Sequence, residues 1–142
     1  MDKPAVPLNE QARLDELRSL EILDTQREPV FDRITRLAQQ FFSVPICIIS
    51  LVDEQRQWFK SCVGLNVTET ARDISFCGHA ILQDEPFVIN DALKDKRFAD
   101  NPLVVGEPHI RFYAGCPIIL KTGNCIGTLC IIDYKPRTLS NK

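Results

Sequence analysis

Residues 44–53 read Val-Pro-Ile-Cys-Ile-Ile-Ser-Leu-Val-Asp, an apolar run rich in β-branched side chains and almost free of polar interruption. A strand with one wet face alternates apolar and polar residues. A run like this one therefore predicts a strand covered on both faces. Such a strand needs a layer of chain on each side, and the rest of the sequence can be searched for the two layers.

One layer precedes it. Residues 1–8, with Pro4 and Pro7, read as a tail. Asn9 is placed to cap a helix over residues 10–23, with apolar steps at Leu14, Leu17, Leu20 and Leu23. Steps of three drift around a helix, so this stripe predicts one that touches a partner as well as its own domain, and with it a homodimer through the N-terminal helix. Glu28-Pro29 opens a second helix with proline at a tolerated first-turn position. Phe31, Ile34, Leu37, Ala38 and Phe41 give it clean helical spacing.

The second layer follows. Residues 57–63 return as a strand carrying Trp58 and Phe59, both read as edge-strand packing. A short helix is expected over residues 75–82 and a short strand over 86–90. Two further strands, 110–120 and 125–133, join through Lys121-Thr-Gly-Asn124, a hairpin signal. The stretch from 65 to 111 is too long for an ordinary connection and, with Phe76, Phe87, Phe98, Leu103 and Val104, too apolar for disorder. It predicts a folded cover enclosing a pocket against the sheet. The whole reads as an α+β domain with an antiparallel sheet, helices on one face and a lid of short helices and loops on the other.

Composition narrows the function. The 142 residues hold 17 basic and 19 acidic side chains, for a net charge of −2. No basic footprint marks a nucleic-acid surface. No apolar run approaches the ~20 residues that would span a bilayer, and no signal-peptide core opens the chain, so a cytoplasmic protein is expected. The six cysteines contain no Cys-x-x-Cys pair, so neither a zinc site nor a thioredoxin-type site is signalled, and no cofactor is expected.

Several strings then resemble a known family. Asn9-Glu10-x-x-Arg13-Leu14, Phe31-Asp32-x-Ile34-Thr35, Gln57-Trp58-Phe59-Lys60-Ser61, Ser75-Phe76-Cys77-x-His79-Ala80-Ile81, Arg97-Phe98-x-x-Asn101-Pro102-Leu103-Val104 and Arg111-Phe112-Tyr113-Ala114-Gly115 occur in that order. Together they look like a GAF domain of the bacterial signalling type, found with histidine kinase or diguanylate cyclase modules. The resemblance covers residues 9–137. It implies a five- or six-stranded antiparallel sheet, a pocket under the middle helices and helical dimer contacts. Residues 138–142 would begin a C-terminal linker or helix capped by Ser140, with the output module absent from this chain.

Chemistry was weighed on the same residues. Cys77 and His79 are two apart on a short helix and do not face each other, which argues against a nucleophile-and-base enzyme. Cys77-Gly78 resembles a string of free methionine-(R)-sulfoxide reductases, but residues 103–113 lack the attacking cysteine such an enzyme needs. Bilin attachment wants a histidine directly after the cysteine, and here Gly78 follows. The favoured reading is a non-enzymatic sensor that binds a small, anionic molecule, with a pure dimerisation and relay module as the first alternative and a free methionine-(R)-sulfoxide reductase as the second. The candidate ligand contacts are Arg111 and Tyr113, which strand alternation puts on one side, together with Ser75, Cys77 and His79 from the lid helix and Asp91 and Arg97 from the lid loop.

Overall fold

In a computed structural model of the protein, which describes residues 1–139, the expected two-sided strand is β1 (Ile46–Val52). All seven of its residues are buried. It lies between β2 (Arg56–Val63) and β6 (Cys125–Asp133), antiparallel to both. β5 (Phe112–Ile119) and β4 (Phe87–Ile89) extend the sheet beyond β6, and β3 (Glu69–Ala71) forms the opposite edge. The order is β3-β2-β1-β6-β5-β4, a six-stranded antiparallel sheet. β3 is three residues long and carries no readable pattern of its own. Its presence moves Trp58 one strand in from the edge, where the indole packs with Leu17, Leu51 and Ile126.

The register of β1 against β2 slips between Ile49 and Ser50, so that Ser61 and Phe59 face consecutive residues and Lys60 is the extra one. A bulge re-aims the bulged side chain. The Lys60 ammonium, fully buried, is taken up by Thr25 Oγ1 at 2.8 Å, the Gln26 carbonyl at 2.6 Å and Glu28 at 2.6 Å. The connector ahead of the second helix is thereby pinned to the sheet.

The two N-terminal helices bury less of their expected stripes in the domain than the spacing suggests. α1 (Glu10–Ser19) stops four residues short of the predicted end, and Glu21 and Asp24 beyond it adopt left-handed backbone. Asn9 has φ −97° and ψ 27°, outside the extended geometry that lets a cap side chain reach back. Its amide bonds Asn124 at 2.9 Å instead. Leu14 and Leu17 are buried in this domain, while Leu20 is exposed. α2 (Pro29–Phe42), which begins on the expected proline, meets the sheet through a polar contact and through the small Ala38, which packs on the cluster of Cys47 and Ile131. Thr35 Oγ1 lies 2.8 Å from Ser61 Oγ, and Ser61 donates to Asp32 at 2.6 Å. Three of the five stripe residues turn outward, with Ile34 42%, Leu37 68% and Phe41 76% exposed, while Phe31 and Ala38 are half-buried. Periodicity identified the helix, but not the side it buries.

The lid covers the other face with α3 (Phe76–Ala80), α4 (Pro102–Val105) and two one-turn 3-10 helices at Arg72–Ile74 and Ala92–Lys94. Phe76 and Phe98 stack at 4.2 Å, and Phe76 meets Tyr113 at 5.2 Å, in the largest buried cluster of the molecule. Residues 1–8, read as a tail, lie against this lid. The Asp2 N–H donates to the Arg97 carbonyl at 3.0 Å, and the terminal amine pairs with Asp100 at 2.5 Å. Glu10 joins α1 to the lid by accepting from Arg13 Nε at 3.0 Å and Arg72 Nη2 at 3.1 Å. The expected helix capped by Ser140 falls outside the described residues.

Candidate functional site

A cavity of about 410 Å³ opens between the sheet and the lid. β1 and β6 supply Ile48 and Ile132 to its floor, and β2 supplies Gln57 and Phe59. The segment between β2 and β3 contributes Leu65 and Val67, and β3 contributes Thr70. α4 and the loop after it contribute Leu103, Glu107, Pro108 and Ile110. The lining is predominantly aliphatic, with three polar residues and no lysine or arginine. Concave apolar sites with a few placed polar groups are the usual form of small-molecule pockets.

Gln57 is the polar group held most firmly. Its Nε2 donates to Thr70 Oγ1 at 2.6 Å, and its Oε1 accepts from Ser50 Oγ at 3.1 Å. Each partner satisfies one end of the amide, so the side chain is fixed in orientation. Sequence reasoning passed over Gln57 in favour of the aromatic pair that follows it. The available signal was its position: a polar residue two before Phe59 on a strand must share that residue's face.

Beyond Gln57 the cavity narrows into a space of about 20 Å³ lined by Phe76, Cys77, Tyr113 and Cys130 among others. Six residues border both spaces, among them Ile48, Gln57 and Leu103. Tyr113 Oη donates to Cys77 Sγ at 3.1 Å, and Thr128 Oγ1 lies 3.0 Å from the same sulfur. Two of the seven candidate ligand contacts, Cys77 and Tyr113, therefore meet at the blind end. Tyr113 crosses over Gly115, where any side chain would collide with the phenol ring. Burial and the neighbouring thiols hold the Tyr113 hydroxyl well above the ordinary phenol range, so it stays a donor.

The other five candidates do not line the cavity, because the lid itself takes up their polar atoms. Ser75 caps α3, accepting from the Gly78 N–H at 3.0 Å and donating to the Arg72 carbonyl at 2.8 Å. His79, half-buried against Phe98, lies 3.2 Å from the Asp2 carbonyl, and burial lowers its pKa. Asp91 caps the second 3-10 turn through the Leu93 N–H at 3.1 Å. Arg97 is bidentate to Asp95 at 3.0 and 2.8 Å and lies over the Phe87 and Phe98 rings. Arg111, a candidate ligand contact, does not face the cavity. It donates instead to the Val104 and Ile110 carbonyls, at 2.9 and 3.0 Å, and so ties α4 to the start of β5. Both bonds come from Nη1, and with no lysine or arginine in its lining the cavity offers an anion no cationic partner.

Metal chemistry has no foothold: no group of three His, Cys, Asp or Glu side chains is placed to hold an ion among the described residues. No helix among them is long and apolar enough to cross a membrane.

Comparison with known proteins agrees with this geometry. The family model for the GAF domain matches residues 26–141. A cyclic di-GMP phosphodiesterase of Pseudomonas aeruginosa is 44% identical over 137 residues, which are 96% of this chain and 23% of that protein. The chain thus spans about a quarter of the curated relative's length. Among solved structures, the GAF domain of a Coxiella burnetii phosphoenolpyruvate-protein phosphotransferase is 17% identical with a TM-score of 0.65, covering 94% of this chain and 83% of that one. The corresponding Acinetobacter domain is 23% identical with a TM-score of 0.63, covering 92% and 82%. A free methionine-R-sulfoxide reductase of Neisseria meningitidis, in complex with its substrate, is 16% identical with a TM-score of 0.63, covering 92% and 76%. At these identities the solved structures establish the fold alone.

Proposed function

The chain belongs to the GAF domain family, and on that premise we propose that it is a regulatory sensor that binds a small, predominantly apolar molecule between sheet and lid. The observation that carries the reading is the cavity of about 410 Å³, aliphatic in its walls and fixed at one polar point by the Ser50–Gln57–Thr70 bonds. A ligand with an apolar body and one hydrogen-bonding end fits such a lining. Because Leu103, Pro108 and Ile110 belong to the lid, occupancy favours its closed form, and any state-dependent affinity shifts the population. The similarity to a cyclic di-GMP phosphodiesterase supports an output in cyclic di-GMP signalling, in cis or through a partner.

Native mass spectrometry and thermal shift against a panel of neutral and amphipathic metabolites test this reading. Val67 is 43% exposed on the lid side of the cavity. Val67→Trp fills that space from the surface. Ligands that raise the melting temperature of the natural chain should lose their effect in this variant. Equal binding to both places the ligand elsewhere.

A relay through paired chains is favoured by a separate feature. Val30, Ile34, Leu37 and Phe41 are spaced 4, 3 and 4 along α2 and all exposed. This is the seam spacing of paired helices, and a second copy presents the same seam. The dimer surface is then α2, not the drifting stripe of α1.

A further inference from the structure

The blind end of the groove holds a chemistry that ligand binding does not require. Cys77 projects from α3 and Cys130 from β6, and both border the same space of about 20 Å³. A volume of that size admits about one water-sized molecule. Hydrogen bonds from Tyr113 Oη at 3.1 Å and a contact to Thr128 Oγ1 at 3.0 Å surround the Cys77 sulfur. Cys130 stands two residues from Thr128 on the same strand face and borders the same small space as that sulfur. Elsewhere in the interior, burial leaves thiols protonated: Cys47 is pushed up to about 11, and Cys62 and Cys125 are raised as well.

We propose that Cys77 and Cys130 form a peroxide-reactive dithiol at the end of the groove, with Cys77 the attacking sulfur and Cys130 the resolving one. Their surroundings point to that order, since it is the Cys77 sulfur that accepts from Tyr113 Oη at 3.1 Å and meets Thr128 Oγ1 at 3.0 Å. Burial alone would raise the Cys77 thiol, but its polar neighbours, with Cys130, Thr128 and Tyr113 among them, outweigh it and bring Cys77 to about 7. Its interaction with Cys77 and its own desolvation hold Cys130 well above the usual thiol range. The thiolate is the nucleophile in such chemistry. Cys77 thiolate attacks one oxygen of a hydroperoxide and the O–O bond breaks. Sulfur is oxidised to the sulfenic acid, and the departing oxygen leaves as water or alcohol after taking a proton from solvent. The Cys130 sulfur, giving up its proton, then displaces the sulfenic oxygen as a second water, and an S–S bond forms. The product ties lid helix α3 to sheet strand β6, so oxidation would hold closed the lid that a ligand must pass.

The test uses the full chain, reduced and free of added ligand, exposed to hydrogen peroxide at neutral pH. Acid quenching, alkylation under denaturing conditions and peptide mapping then locate each cysteine. The expected product is a peptide pair linked through Cys77 and Cys130, formed before the exposed Cys116 is consumed. In Cys130→Ser a dimedone adduct should accumulate on Cys77. Tyr113→Phe should slow oxidation of Cys77 by about tenfold or more, the equivalent of one hydrogen bond to a charged group. Cys116 oxidised while Cys77 remains alkylatable overturns the proposal. So does a sulfenic acid that persists on Cys77 beside free Cys130 in the natural chain, or an unchanged rate in Tyr113→Phe. The readout needs no ligand, so its failure leaves the sensor reading standing, and the Val67→Trp experiment leaves this one standing.

Discussion

The two faces of the sheet are covered by opposite means. On the lid side, Phe76, Phe98 and Tyr113 pack into one aromatic cluster, and the charged residues around them turn inward onto lid carbonyls or onto one another. On the helix side, α2 is held by Thr35, Ser61, Asp32 and the small Ala38, and Ile34, Leu37 and Phe41 face away. The lid face is therefore stabilised chiefly by burial within this chain. The α2 face leaves much of its apolar area exposed, the area proposed above for a second copy. The comparison teaches that an amphipathic helix need not bury its apolar side in the domain that carries it.

The largest expected effect lies on the lid face. Phe98 is fully buried and stacked on Phe76, so Phe98→Ala should cost roughly 3–5 kcal/mol in chemical denaturation, as for other buried aromatics. A loss below about 1 kcal/mol would mean the lid contributes little to the folded state, and the contrast between the faces would fail.

Next comes the charged link from α1 to the lid. Arg13 and Arg72 are both nearly inaccessible and share Glu10. Glu10→Gln leaves two buried cations short of their counter-ion and should cost roughly 3 kcal/mol. Burial tends to raise the Glu10 carboxyl, but hydrogen bonds from Arg72 and Arg13 bring it below its ordinary value. A carboxylate depressed on folding contributes stability that is complete above its unfolded pKa and lost as pH falls through the folded one. The natural chain should thus lose stability on acidification below the usual glutamate range, and Glu10→Gln should lose less over the same window.

On the helix face, Thr35→Ala removes the hydroxyl that meets Ser61 and should cost about 1 kcal/mol. The smallest effect sharpens the comparison most. Phe41→Ala should change the stability of the monomer by no more than about 0.5 kcal/mol. Leu37→Asp should leave folding intact while shifting the species seen by light scattering towards the monomer. A large loss of stability in either would show that α2 buries its stripe within the domain.

Legibility followed the range of the interaction. Cys77 and Tyr113 could be singled out because a cysteine in a lid helix and an inward tyrosine on a strand are local facts, and the two do meet. Arg111 could be placed on the lid side by alternation, but its partners are the carbonyls of Val104 and Ile110, which no side-chain pattern announces. Gln57 was visible as a residue and silent as a site, since its role comes from Ser50 and Thr70 on the neighbouring strands.

The amino-acid order by itself determined the two-sided strand, the proline start of α2, the hairpin between β5 and β6, and the presence of a folded lid, because backbone propensity and hydrophobic period act over a few residues. The tertiary structure alone decided that α1 buries Leu14 and Leu17, that α2 shows most of its stripe to solvent, and that the lid arginines close the lid while the cavity stays apolar. Those outcomes depend on which distant donors, acceptors and surfaces arrive at the same place, and hydrogen-bond satisfaction and burial are settled only when they do.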